Sequence, residues 1–101
     1  MIKHVVMWKL KDSANGCSRR ENAQKVKALL ETMPAKIEQI KSLQVGIGEL
    51  PEGDGVYDIC LITEFESLAD LDIYQIHPEH KAVAAIIGEV RTERAIIDFE
   101  V

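Results

Sequence analysis

Residues 2–11 read Ile2-Lys3-His4-Val5-Val6-Met7-Trp8-Lys9-Leu10-Lys11, and the way their side chains alternate decides the fold. Val, Ile and Trp suit a pleated, packed surface, so the run is predicted to be a strand. Successive side chains of a strand point to opposite faces. Ile2, His4, Val6, Trp8 and Leu10 therefore share one face, and Lys3, Val5, Met7, Lys9 and Lys11 the other. The first face is apolar apart from His4. The second is apolar at its centre. A strand apolar on both sides needs a cover on each.

One cover comes from helices. Asn15-Gly16 is a turn signal. Ser18-Arg19-Arg20-Glu21 then matches a capping box, in which Ser and Glu each satisfy an unpaired N–H at a helix start. Ala23, Val26, Leu30, Met33, Ile37 and Ile40 follow at spacings of three and four, the stripe of an amphipathic helix. Pro34 interrupts it, which predicts a kink or break near Met33 with both halves still covering one sheet.

Residues 43–50 read as a second strand. Its Gly46-Ile47-Gly48 lacks the third glycine and following helix of a nucleotide loop, and marks a bulge or a close backbone approach instead. Dense turn chemistry at 51–55 leads to a third strand over 56–66. There Tyr57, Ile59, Leu61, Thr63 and Phe65 share one face, and Val56, Cys60 and Ile62 give the other an apolar centre. The short link predicts an antiparallel hairpin. Ser67 caps a helix over 68–76, with Leu68, Leu71 and Ile76 expected inward and Tyr74 at the border. Residues 91–101 close the chain as a strand, with Ala95, Ile97, Phe99 and Val101 alternating against Ile96, Asp98 and Glu100.

Between them lies Tyr74-Gln75-Ile76-His77-Pro78-Glu79-His80-Lys81-Ala82-Val83-Ala84. Proline is accepted in the first turn of a helix and disfavours helical geometry in the residue before it. The reading is a helix ending near Ile76, a corner at His77, and a new helix from Pro78. His80, Val83, Ala84 and Ile87 then form one inward stripe, which aims an imidazole at the interior.

The order strand, helix, strand, strand, helix pair, strand is the split βαβ arrangement of an α+β, ferredoxin-like fold: a four-stranded antiparallel sheet with helices on one side. The second apolar face then needs a cover from outside the chain. A two-fold-related copy is the common solution, two facing sheets forming a dimeric α/β barrel.

The 101 residues are expected to form a single domain, 1–101. No apolar run approaches a membrane span. The net charge of −5 disfavours nucleic acid. Nine basic and five acidic residues in 1–50, against three and twelve in 51–101, leave the halves at +4 and −9. That asymmetry reads as solvated faces or as complementary surfaces within the fold or a dimer. Cys17 and Cys60 are not closely spaced, and the N-terminal run lacks the marks of a signal peptide. A cytoplasmic protein with reduced thiols is the simplest expectation.

Taken in order, Ile2-Lys3-His4-Val5-Val6, Phe65-Glu66-Ser67, the Tyr74–His80 piece and Ile97-Asp98-Phe99 make the chain resemble the stress-responsive A/B barrel domain family along nearly its whole length. The resemblance implies a small dimeric α+β barrel. Most members have no established activity. In one plant group, the olivetolic acid cyclases, a polyketide is closed by an aldol reaction without a cofactor. By motif the resemblance carries that group's base onto His80, its assisting tyrosine onto Tyr74, and a pocket histidine onto His4. That group's tyrosine on the first long helix has no counterpart, since residues 18–43 contain no aromatic side chain.

Carbon-acid chemistry needs a base titrating near ambient pH, which imidazole supplies. A phenol at Tyr74 suits a developing enolate. Each residue also has a structural reading. His80 could satisfy the helix corner, and His4 could be a hydrogen-bonded core histidine. His77 would be the corner residue and Trp8 core or pocket wall; both are carried as candidate ligand contacts. The three histidines offer a weak metal set with no completing ligand, so neither metal nor cofactor is expected. Three functions are consistent with this reading. The first is a homodimer binding, and converting, a small hydrophobic organic ligand. The others are an assembly module without chemistry and a monooxygenase-like barrel.

Overall fold

The computed structural model describes residues 1–49 and 55–101. Strand β1 (Ile2–Leu10) alternates buried and half-buried along its whole length, as its sequence dictates. Two very short strands follow, β2 (Ser13–Ala14) and β3 (Cys17–Ser18), where a loop is expected. They are joined by Asn15 and Gly16 at φ 53° and 76°, the paired left-handed geometry of a tight hairpin turn.

Helix α1 (Arg19–Glu31) starts with the predicted capping box: Ser18 Oγ accepts from the Glu21 N–H, and Glu21 accepts from the Ser18 N–H. At Pro34 the chain breaks into a 3-10 turn (Met33–Ala35). Ala23, Val26, Leu30, Met33, Ile37 and Ile40 are nevertheless all buried, so the apolar phase survives the break.

Strands β4 (Ser42–Ile47) and β5 (Ile59–Phe65) pair antiparallel and are each shorter than predicted. Their expected connection falls, apart from Gly55, outside the described residues. Gly48 runs so close to β5 that an added Cβ would stand 2.8 Å from the Tyr57 carbonyl oxygen, the predicted close backbone approach. Just before the start of β5, Asp58 still pairs through its backbone, its N–H donating to the Trp8 carbonyl and its carbonyl accepting from the Gly48 N–H, while its carboxylate is used elsewhere. It accepts from the Leu10 N–H at 2.7 Å and from Arg19 at 2.9 Å, tying the end of β1 to the start of α1.

Helix α2 (Leu68–Ile76) is capped by Ser67, and α3 runs Pro78–Val90. His77 is the extended corner between them, at φ −64° and ψ 136°. The inward residues of α2 differ from expectation: Leu68 and Ile76 are 62% and 68% exposed, while Leu71 and Tyr74 are buried. The helix meets the sheet through a two-residue contact three positions apart, too narrow to reach its ends. In α3, Val83, Ile87 and Val90 are buried; Ala84 is exposed.

Strand β6 (Arg91–Glu100) completes an antiparallel sheet of order β4-β5-β1-β6, the ferredoxin-like topology. The helices cover the face of β1 that carries Ile2, Val6, Trp8 and Leu10. On the opposite face Val5 stands between Ile62 and Ile97, and Met7 between Cys60 and Ala95. Ile97 and Phe99 on that face are 60% and 41% exposed.

Candidate functional site

β1, α2, α3 and β6 converge on a cavity of about 380 Å³, within the size range of small-molecule sites. Leu30, Met33, Leu61, Val83 and Ile87 supply apolar wall. The polar groups are His4, Trp8, Tyr74, Gln75, His80 and two arginines, Arg91 and Arg94. Of the candidate residues, His4, Trp8, Tyr74 and His80 are brought together here. His77 is not among them. Its Nδ1 accepts the Glu79 N–H at 3.1 Å and caps α3.

His4 is buried because alternation puts it on the covered face of β1. Its register partner on β6 is Asp98, and its Nδ1–H donates to the Asp98 carboxylate. The carboxylate accepts, which fixes the ring proton on Nδ1 and leaves Nε2 without a partner among the described residues. Asp98 was placed on a strand face by the sequence, but its role went unseen. The partners are 94 residues apart, and pairing of β1 with β6 is what joins them.

His80 sits half-buried in the first turn of α3. Its Nδ1–H donates to the Gln75 carbonyl oxygen at 3.1 Å, so it too has Nε2 without a protein partner among the described residues. Burial pushes its pKa below the ordinary value; the Gln75 bond partly opposes this, and His4, Arg94 and His77 reinforce it. The neutral, basic form is therefore favoured.

Tyr74 lies between the two imidazoles. Its ring centroid is 5.8 Å from that of His4 and 4.5 Å from that of His80, and Phe65 closes the cluster at 4.9 Å. Burial raises the phenol pKa, so its hydroxyl keeps its proton and can donate it in a hydrogen bond. Among the described residues nothing else hydrogen-bonds that hydroxyl. No three His, Cys, Asp or Glu side chains among the described residues are grouped as a metal ion would require.

Comparison with solved structures returns the same architecture. A dimeric protein of unknown function with a ferredoxin-like fold from Bacteroides fragilis is 34% identical, with a TM-score of 0.84 over 99% of this chain and 95% of that one. A dimeric ferredoxin-like protein from Thermobifida fusca is 25% identical, with a TM-score of 0.81 over 99% and 90%. The hydroxynitrile lyase of Passiflora edulis shares the fold at 16% identity, with a TM-score of 0.78 over 97% and 90%. No curated protein matches. The model of the stress-responsive A/B barrel domain matches residues 2–101, and the chain belongs to that family.

Proposed function

We propose that this protein is a homodimer whose cavity binds a small, largely hydrophobic organic molecule and moves a proton on it without metal or cofactor. One observation carries the reading. Two imidazoles on different elements each spend Nδ1–H on a fixed acceptor, Asp98 or the Gln75 carbonyl, and each leaves Nε2 without a partner among the described residues beside the same cavity. A histidine needed only for packing has no reason to be matched in this way by a second. In this reading His80, kept neutral by burial, is the base. The Tyr74 hydroxyl donates to the oxygen on which charge develops. His4, held by Asp98, is the second proton carrier, and Trp8 is wall. A protein named as a hydroxynitrile lyase has this same fold, so the architecture houses an enzyme elsewhere.

The dimer rests on the uncovered face of the sheet, where Val5, Met7, Ile62, Ile97 and Phe99 form a contiguous apolar patch. The Bacteroides and Thermobifida relatives are dimeric. A two-fold copy presents the same patch to itself.

A second reading has its own support, since the His80–Gln75 and His77–Glu79 bonds both brace the α2–α3 corner. A thermal-shift screen with small hydrophobic acids and phenols separates the two. The expected result is that hits raise the Tm of the wild type, whereas His80→Ala folds but loses the shift. If the variant melts early yet binds with full affinity, His80 is a brace and the catalytic reading falls.

A further inference from the structure

Arg91 and Arg94 are three residues apart on β6, and in a regular strand they would point to opposite faces. Here they do not. Arg94 is the register partner of Trp8 and Arg91 that of Leu10, two β1 residues on the same covered face. The register shifts between Lys9 and Leu10, so β6 carries an extra residue at Thr92–Glu93. Such a bulge re-aims side chains. Its effect is to put both guanidinium groups on the cavity side, and both line the cavity.

Neither arginine has a carboxylate partner among the described residues. Glu93, between them in sequence, pairs with Lys9 on the opposite face at 3.5 Å. Asp98 is engaged by His4, and Glu89 accepts from Asn15 at 3.1 Å. No Asp or Glu among the described residues lines the cavity. The polar lining is therefore cationic or neutral throughout, in the half of the chain that stands at −9. Two cations without a carboxylate partner among the described residues, aimed by a local irregularity of the backbone at a cavity whose other polar groups are neutral, are suited to receive negative charge.

We infer that the ligand of this cavity is a carboxylate with a hydrophobic body, its acid group held by Arg94 and Arg91 and its body lying along Trp8 toward Tyr74 and His80. Arginine presents paired N–H donors in a plane that matches a carboxylate. Anchoring the acid at the β6 rim directs the remainder of the molecule to the two imidazoles. The inference rests on the cavity being a ligand site, as proposed above, and adds the class of ligand.

The test compares matched pairs that differ only in charge: phenylacetate with phenylacetamide, cinnamate with cinnamamide, and hexanoate with hexanamide. Affinities are measured by calorimetry on the wild type, Arg94→Met, Arg91→Met/Arg94→Met and His80→Ala. The acid of at least one pair is expected to bind about tenfold or more tightly than its amide. That preference should shrink in Arg94→Met and vanish in the double variant, the acid losing far more affinity than the amide. His80→Ala should weaken acid and amide alike and so keep the ratio. Equal binding of acid and amide to the wild type overturns the inference and leaves the cavity a ligand site. A preference that survives in the double variant overturns the role of the arginines. Failure of every acid and amide to bind overturns both this inference and the ligand-site reading beneath it.

Discussion

His80 shows how far a single side chain can be read from its neighbours in sequence. Pro78 sets the corner, the corner starts a helix, and the helix phase turns position 80 toward the sheet. The direction of its pKa shift has a consequence for stability. The folded protein resists protonating His80, whereas the unfolded chain titrates it near the ordinary 6.5. As pH falls through that value the unfolded state binds more protons, so folding stability declines. His80→Gln should flatten this part of the curve when Tm is followed between about pH 5 and 8. Parallel curves for the two proteins would show that the imidazole is not held neutral by burial. Asp98 and Arg94 lay beyond reach of the same reasoning. Each is an ordinary surface charge in a β-strand until the register with β1 is known, and Arg94 further depends on a bulge that no residue type announces.

Helices and strands were legible wherever a period was long enough to persist. The stripe from Ala23 to Ile40 survives Pro34 because packing against one sheet, rather than continuous helix, is what spaces those residues. Short α2 misled, since two turns give no room to tell a face from its flanks, and Leu68 and Ile76 were placed inward though they face solvent. The tie made by Asp58 was missed for a different reason. The Asp58 carboxylate holds the Leu10 N–H and Arg19, and a carboxylate's partners on two other elements leave no local trace. Asp58→Ala should cost about 1.5–3 kcal/mol, the range for hydrogen bonds to a charged group, measured by urea denaturation. A loss below about 0.5 kcal/mol, typical of an exposed pair, would mean that this junction is not a structural tie.

For the molecule as a whole, the informative fact is the surplus of apolar surface announced by β1. One chain covers one side of its sheet; the other side is where the self-association proposed above must occur. Ile97→Glu would place a charge in the centre of that patch, against a second copy of itself across a two-fold axis. The expected outcome is a smaller species in sedimentation at micromolar concentration, with far-ultraviolet circular dichroism retained. An unchanged mass would remove the sheet face from the interface. Strand β6 gives this a last consequence. Its even positions hold Asp98 on His4 and Arg94 at the cavity, and its odd positions hold Ile97 and Phe99 on the uncovered face, all on one ten-residue ribbon at the margin of the sheet. A marginal ribbon is fastened along one side only, so its rigidity is on loan from whatever sits above and below it. Under the proposed function, the imidazole site and the subunit contact would share this one ribbon, and a substitution made for either is expected to be felt by the other.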